Sequence, residues 1–234
     1  MNKGSTVIML VALLFIAGCE GTLPQKGHTI IDWVDFVKIN DIQYHASYSA
    51  VIADETFIGE KIGEVAFNVD DNITNPSYDI KNGDAAYLEE GTNLYLVKAM
   101  PGYIAVKDPY KINGYKLYLN KDYVSRDVPL HFKNIDMTTV TKIEIYDGAR
   151  EPQLLNALSD QEDVSALVDI LANGEVTSRY TPNTSKGDPD RYQIIFYHSM
   201  PIAYYNTLFN DGEEWYGYDS DTAILSDDIS KFVE

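Results

Sequence analysis

From Trp33 onward the chain is built of short runs that alternate apolar and polar residues, most of them closed within a few positions by a turn pair. Alternation sends successive side chains to opposite faces of a sheet, so such runs are half-buried strands, and tight turns make neighbouring strands antiparallel. Trp33-Val-Asp-Phe-Val-Lys-Ile and Ile42-Gln-Tyr-His-Ala flank Asn40-Asp41, which predicts a hairpin. Between Lys61 and Val69, Ile62, Val65, Phe67 and Val69 alternate with an irregularity at Gly63, the pattern of a strand with a bulge. Asp70 to Gly83 is dense in Asp, Asn and Pro and is expected to be a loop. Ala85-Ala-Tyr-Leu, Asn93-Leu-Tyr-Leu-Val-Lys, Tyr103-Ile-Ala-Val-Lys and Tyr115-Lys-Leu-Tyr-Leu follow as strands, separated by Glu90-Gly91, Pro101-Gly102 and Asn113-Gly114. This spacing predicts a small all-β barrel or sandwich over residues 30–124.

Residues 125–234 read differently. Val140-Thr-Lys-Ile-Glu-Ile-Tyr is an alternating strand, and Ser159 to Ala172 is the strongest helix in the chain. Ser159 and Glu162 form a capping box, Val164, Leu167, Val168 and Leu171 make one apolar face, and Asn173-Gly174 stops the helix. Tyr192-Gln-Ile-Ile-Phe-Tyr and Pro201 to Phe209 are strands, Asp211-Gly212 is a further hairpin turn, and Ser226 caps a short terminal helix. The fold class is therefore α+β and β-rich. A small all-β barrel or sandwich is followed by an antiparallel sheet with two helices.

The segment before the strands carries an address. Lys3 is followed by the apolar run Val7 to Ala17, too short for a hydrocarbon core that takes about 20 residues, but matching the apolar part of a secretory signal. Ile16-Ala17-Gly18-Cys19 resembles the lipobox of bacterial lipoprotein precursors. The resemblance implies that residues 1–18 are a lipoprotein signal peptide and that the Cys19 thiol becomes a thioether to diacylglycerol. Residues 19–29, polar and without periodicity, then form an acylated tether. Two acyl chains suffice for stable anchoring, which places the chain on the extracytoplasmic face of the cell membrane. Cys19 is the only cysteine, so no disulfide is available and the core alone must hold the fold.

Two stretches carry a further resemblance. Lys81 to Lys98, with the preceding Ile62-Gly-Glu-Val-Ala-Phe, and Tyr192 through Trp215 are similar to segments recurring in uncharacterised Bacillus-type (Firmicutes) cell-surface lipoproteins. The resemblance implies a lipoprotein outside the cytoplasmic membrane and brings no catalytic or ligand residues with it.

Charge narrows the partners. Lys and Arg number 18 against 36 Asp and Glu, a formal charge of −18. Loss of Lys3 with the signal makes the chain one unit more negative. This excess argues against nucleic acid, which requires a basic footprint, and against direct adsorption on anionic lipid or anionic wall polymers, so the membrane is reached through the lipid on Cys19. Eighteen Tyr against eight Phe fit half-wet sheet faces and also suit contact with a protein or glycan.

No pattern of residues specifies a reaction. His28, His45, His131 and His198 have neither ligand spacing nor a nucleophile turn beside them, and no Gly-rich phosphate loop is present. The sequence points to no catalytic residue, no resident metal and no cofactor. Glu213-Glu214 before Trp215 is the most suggestive carboxylate pair, but adjacent strand residues would face opposite ways. Asp70-Asp71-Asn72 and Asp219-x-Asp221 are the densest oxygen clusters for a calcium ion, without the spacing of a calcium-binding loop. Tyr204, Tyr205, Trp215, Tyr216 and Tyr218 crowd around Asn210-Asp211-Gly212 as a candidate binding surface. The leading expectation is a non-enzymatic binding or interaction module. The alternatives are a carboxylate-dependent cell-wall or glycan hydrolase and a calcium-stabilised structural domain.

Overall fold

The computed structural model describes residues 31–120, 122, 136–178, 180–217 and 222–233. Cys19, the expected signal and tether, His28, His131, Tyr218 and Asp219-x-Asp221 lie outside the described residues. The described residues within 33–73 and 78–234 belong to one compact unit. Of the other unit, residues 31–32 and 74–77 are described, and there Asn75 Oδ1 accepts the Ser77 N–H at 3.0 Å in a local turn.

The protein is β-rich, and its described residues form two eight-stranded sheets and short helices. The first sheet is built from β1 (Phe36–Ile39), β2 (Ile42–Ala46), β4 (Ile58–Glu64), β5 (Phe67–Asn68), β6 (Asp84–Ala85), β7 (Asn93–Val97), β8 (Tyr103–Lys107) and β9 (Tyr115–Leu119). Asn40 and Asp41 both adopt positive φ, and Ile39 registers with Ile42, so β1 and β2 meet through a two-residue turn whose twist matches the strands. The strand order is β4-β7-β8-β9-β2-β1-β6-β5, antiparallel except for β5 with β6. Its two end strands are consecutive in the chain, so the sheet curls. Gly63 of β4 lies against the Ile39 side chain of β1, where a Cβ would collide with the Ile39 methyl. Val37, Ile39, Tyr44, Leu94, Ile104 and Tyr118 share the core inside the curl.

The second sheet contains β10 (Lys142–Asp147), β11 (Leu154–Leu158), β12 (Glu175–Thr177), β13 (Asp190–Tyr197), β14 (Ile202–Asn210), β15 (Trp215–Gly217) and β16 (Thr222–Leu225), in the order β11-β10-β13-β14-β15-β16-β12. Its eighth strand comes from far earlier in the chain: β3 (Ala50–Ile52) pairs antiparallel with the first residues of β14. Alternation gives this sheet two different faces. Ile194 and Phe196 on β13 and Leu208 on β14 pack under the helices, while Ile195, Tyr197 and Ala203 face the other way onto Ile112.

Three α-helices are described: α1 (Val69–Asn72), α2 (Gln161–Ala172) and α3 (Ser230–Val233). Val164, Leu167 and Leu171 of α2 are buried on the sheet, as their spacing predicts. The cap differs from the expected capping box. Asp160, one residue later than Ser159, accepts the Glu162 N–H at 2.8 Å, because a carboxylate caps as well as a hydroxyl and starts the helix at Gln161. The terminal helix begins as a 3-10 turn, Asp227–Ile229, capped by Ser226 as expected. The expected strand through Val69 breaks after Glu64. Its tail turns into α1 because Asn68 Oδ1 accepts the Asp71 N–H at 3.1 Å, which makes Asp70-Asp71-Asn72 a helical turn rather than a loop.

The contact that carries β3 into the second sheet is reinforced by a polar chain. Asn113 stands at φ +57° in the turn between β8 and β9 and donates to the Ile52 carbonyl at 2.8 Å and to the Tyr197 hydroxyl at 3.0 Å. Tyr197 in turn donates to Glu144 at 2.6 Å, which also accepts from Tyr146 at 2.7 Å and Lys142 at 2.8 Å. Burial pushes the Glu144 pKa up, but these three donors outweigh it and hold the carboxyl below its ordinary value.

Replacing Asn113 should destabilise the whole unit in one transition. Asn113→Ala is expected to cost about 2 kcal/mol in urea unfolding, from the lost hydrogen bonds and the positive φ together. Asn113→Gly keeps the backbone conformation and should cost about half as much.

Candidate functional site

The aromatic residues around Asn210-Asp211-Gly212 do not form one surface. Trp215 is 5 % exposed and packs on Tyr192 at 5.2 Å within the core beneath the helices. Tyr216 is 1 % exposed and stacks on Phe209 at 5.4 Å. Tyr204 turns toward the helix side and contacts the half-buried ring of His198 at 4.8 Å, where burial lowers the histidine pKa. Tyr205, one residue on, faces the opposite way, as a period of two requires. Alternation therefore splits the expected patch, and burial takes Trp215 and Tyr216 out of it. Tyr218 lies outside the described residues.

The turn itself is a structural device. Asp211 is buried and accepts hydrogen bonds from the Tyr180 hydroxyl and from the N–H groups of Asn183 at 2.7 Å, Glu213 at 3.0 Å and Glu214 at 2.9 Å. Burial alone would raise its pKa, but these donors bring it down to about 2. Glu213 and Glu214 are thus exposed turn residues rather than strand residues, and their backbones serve the Asp211 carboxylate. Among the described residues no group of His, Cys, Asp or Glu is arranged to hold a metal ion, and no helix is long and apolar enough to cross a membrane.

A different place gathers chemistry. A cleft of about 520 Å³ opens on the face of the second sheet away from the helices. This lies in the range of about 300–1,000 Å³ typical of small-molecule sites. Four separate stretches line it: residues 47–51 around the start of β3, residues 108–117 from the β8–β9 turn into β9, residues 148–152 after β10, and alternate residues of β13 and β14. Gln193 registers with Thr207 across the last two strands, and Ile195 registers with Tyr205.

Its polar groups are held by neutral partners more than by opposite charges. The Arg150 guanidinium sits 5.0 Å from the Tyr110 ring centroid, a cation–π contact, and Arg191 donates to the Tyr205 hydroxyl at 2.9 Å. Gly148 makes this arrangement possible. A Cβ there would lie 2.5 Å from the Arg191 carbonyl oxygen and 2.7 Å from its Cβ, so only glycine lets the 148–150 turn rest on β13. Lys116 is the exception, because it donates to buried Asp35, which also accepts from Tyr118 at 3.0 Å. Tyr48, 73 % exposed at the rim, approaches the same carboxylate at 3.5 Å. Ser47 is 9 % exposed, and its Oγ has no hydrogen-bond partner among the described residues.

Of these cleft residues only Tyr205 stood out in the sequence, as one of the aromatic group around Asn210-Asp211-Gly212. The lining residues are spread over about 160 positions, and only the insertion of β3 and the pairing of β13 with β14 bring them together. The one local signal is Asp108-Pro-Tyr-Lys, an aromatic and a cation in a single turn. Comparison with family models finds no match, and neither the curated proteins nor the solved structures include one that matches.

The Asp211 turn gives a pH dependence of known sign. Its carboxylate has a lower pKa in the folded protein than in the unfolded chain. The stabilisation is complete above about pH 4 and is lost as pH falls through about 2. Asp211→Asn should therefore cost about 1–2 kcal/mol at pH 7. In thermal melts, the gap between wild type and variant should narrow between those two pH values.

Proposed function

We propose that this chain is a lipid-anchored, extracytoplasmic binding module of the Bacillus-type lipoprotein kind, and that its ligand seat is the cleft between β3, the β8–β9 turn and the β13–β14 face. The Ser47 hydroxyl, without a partner among the described residues, carries the reading. A hydroxyl nine-tenths buried without a partner costs stability, about 1–3 kcal/mol for a group of this kind, and a cleft ligand toward which the Ser47 side chain turns removes that cost. The ordered series of Lys3, the apolar run to Ala17, Gly18 and Cys19 supports the anchor. For the first sheet, we read the curl that sets Gly63 beneath Ile39 as a small, partly closed barrel. Among the described residues the cleft lining includes a single carboxylate, Asp108, so the geometry does not favour hydrolysis by a carboxylate pair.

Ser47→Ala separates ligand chemistry from structure. The free protein should melt at the same temperature or slightly higher, because an unsatisfied polar group has been removed. The same change should weaken any cleft ligand found by thermal-shift screening of small soluble compounds. Ala149→Trp, which fills the mouth of the cleft, should abolish the shift. A fall of several degrees in the free Ser47→Ala protein would assign the hydroxyl to the fold and remove the main support for a ligand seat. Cys19→Ala should abolish palmitate incorporation and release the protein from the membrane fraction, and persistent labelling would overturn the anchor.

A further inference from the structure

We infer that the cleft selects an anionic saccharide, a sugar ring bearing a carboxylate or phosphate; this rests on the cleft being the ligand seat. Charge provides the first argument. In a chain of formal charge −18, where acids outnumber basic residues two to one, the cleft lining holds Lys111, Lys116, Arg150 and Arg191 against Asp108. Lys116 is neutralised by Asp35. Among the described residues, Lys111, Arg150 and Arg191 have no carboxylate within salt-bridge distance. Acids are abundant, yet both arginines are held by tyrosines, one by a ring face and one by a hydroxyl. Their planar forks are thereby oriented without being neutralised, the arrangement that receives a carboxylate or phosphate through paired N–H donors.

The remaining lining provides the second argument. A bare inorganic anion would engage only the cationic groups of the lining, while every anion must approach against the field of an acidic protein. The cleft offers more than charge. Tyr48 is an exposed aromatic ring at the rim, of the kind that packs on the C–H face of a sugar, and Gln193, which also donates to the Asp147 carbonyl at 3.0 Å, Thr207 and the Ser47 hydroxyl, without a partner among the described residues, are neutral hydrogen-bonding groups for sugar hydroxyls. A ring with hydroxyls and one anionic substituent uses all three kinds of group at once.

Isothermal titration of the full-length protein in detergent tests this with four probes: trigalacturonic acid, glucose 1-phosphate, maltotriose and inorganic phosphate. We expect at least one of the two acidic sugars to bind about tenfold or more tightly than both maltotriose and inorganic phosphate. Which of the two binds identifies the anionic group. Arg150→Gln and Arg191→Gln, both at exposed positions, should each weaken that binding about tenfold or more, consistent with loss of a charge-assisted contact. Arg150→Lys should retain part of it, and unchanged melting temperatures would show that the variants fold.

Binding of maltotriose as tight as that of the acidic sugars, and indifferent to the arginine variants, would overturn charge selection while leaving the cleft as a sugar seat. Inorganic phosphate binding as tightly as glucose 1-phosphate would overturn the role of the ring. Failure of all four probes would overturn the anionic-saccharide assignment. The ligand-seat reading would still be judged by the Ser47→Ala and Ala149→Trp comparison.

Discussion

The architecture depends on a three-residue strand. Ala50 to Ile52 leaves the first sheet's sequence neighbourhood and registers with Ile202, Ala203 and Tyr204 of β14. The pairing is extended on either side by Ala53 N–H to the Pro201 carbonyl at 2.8 Å and Tyr205 N–H to the Ser49 carbonyl at 3.0 Å. A strand this short contributes few backbone bonds, each worth about 1 kcal/mol net. The fixed position of Asn113, which ties the Ile52 carbonyl to Tyr197 and so to Glu144, gives the junction a second set of contacts. Ile52 itself is fully buried, so the polar chain and the apolar packing reinforce one another at the same point.

The cleft is a by-product of that junction. Where Ile112 covers Ile195, Tyr197 and Ala203, the sheet face is closed and apolar. Farther along the same strands, Arg191, Gln193 and Thr207 occupy the equivalent positions, and the face is polar and open. One periodic surface thus serves as core at one end and as recognition surface at the other. The division follows from how far the β8–β9 turn reaches across the sheet.

Much of the β architecture was legible because local rules governed it. The Asn40-Asp41 turn, β8, β9, the α2 face and the capped terminus follow from alternation, turn chemistry and helical spacing. What was missed lacks those signals. β3, β12 and β16 are three or four residues long, too short for alternation to register. Leu154 to Leu158 forms edge strand β11 with Leu154 and Leu155 exposed, so its apolar residues do not mark a buried face. The aromatic patch failed for the reverse reason: adjacency in sequence concentrated Tyr204, Tyr205, Trp215 and Tyr216, while pleating and burial dispersed them. The cationic cleft, assembled from four distant stretches, carries no continuous sequence pattern at all.

The borrowed strand also sets an order of events during folding. Ile52 and Ile202 are partners across about 150 residues, so the second sheet cannot acquire its β3 edge until nearly the whole chain is available. Closing so large a loop is slow compared with forming hairpins such as β1–β2, and until it happens the first residues of β14 present an unpaired strand edge to solvent. Such an edge is the place where two copies could exchange strands before each completes itself. The fold is therefore most vulnerable to domain swapping early, before its two ends have met.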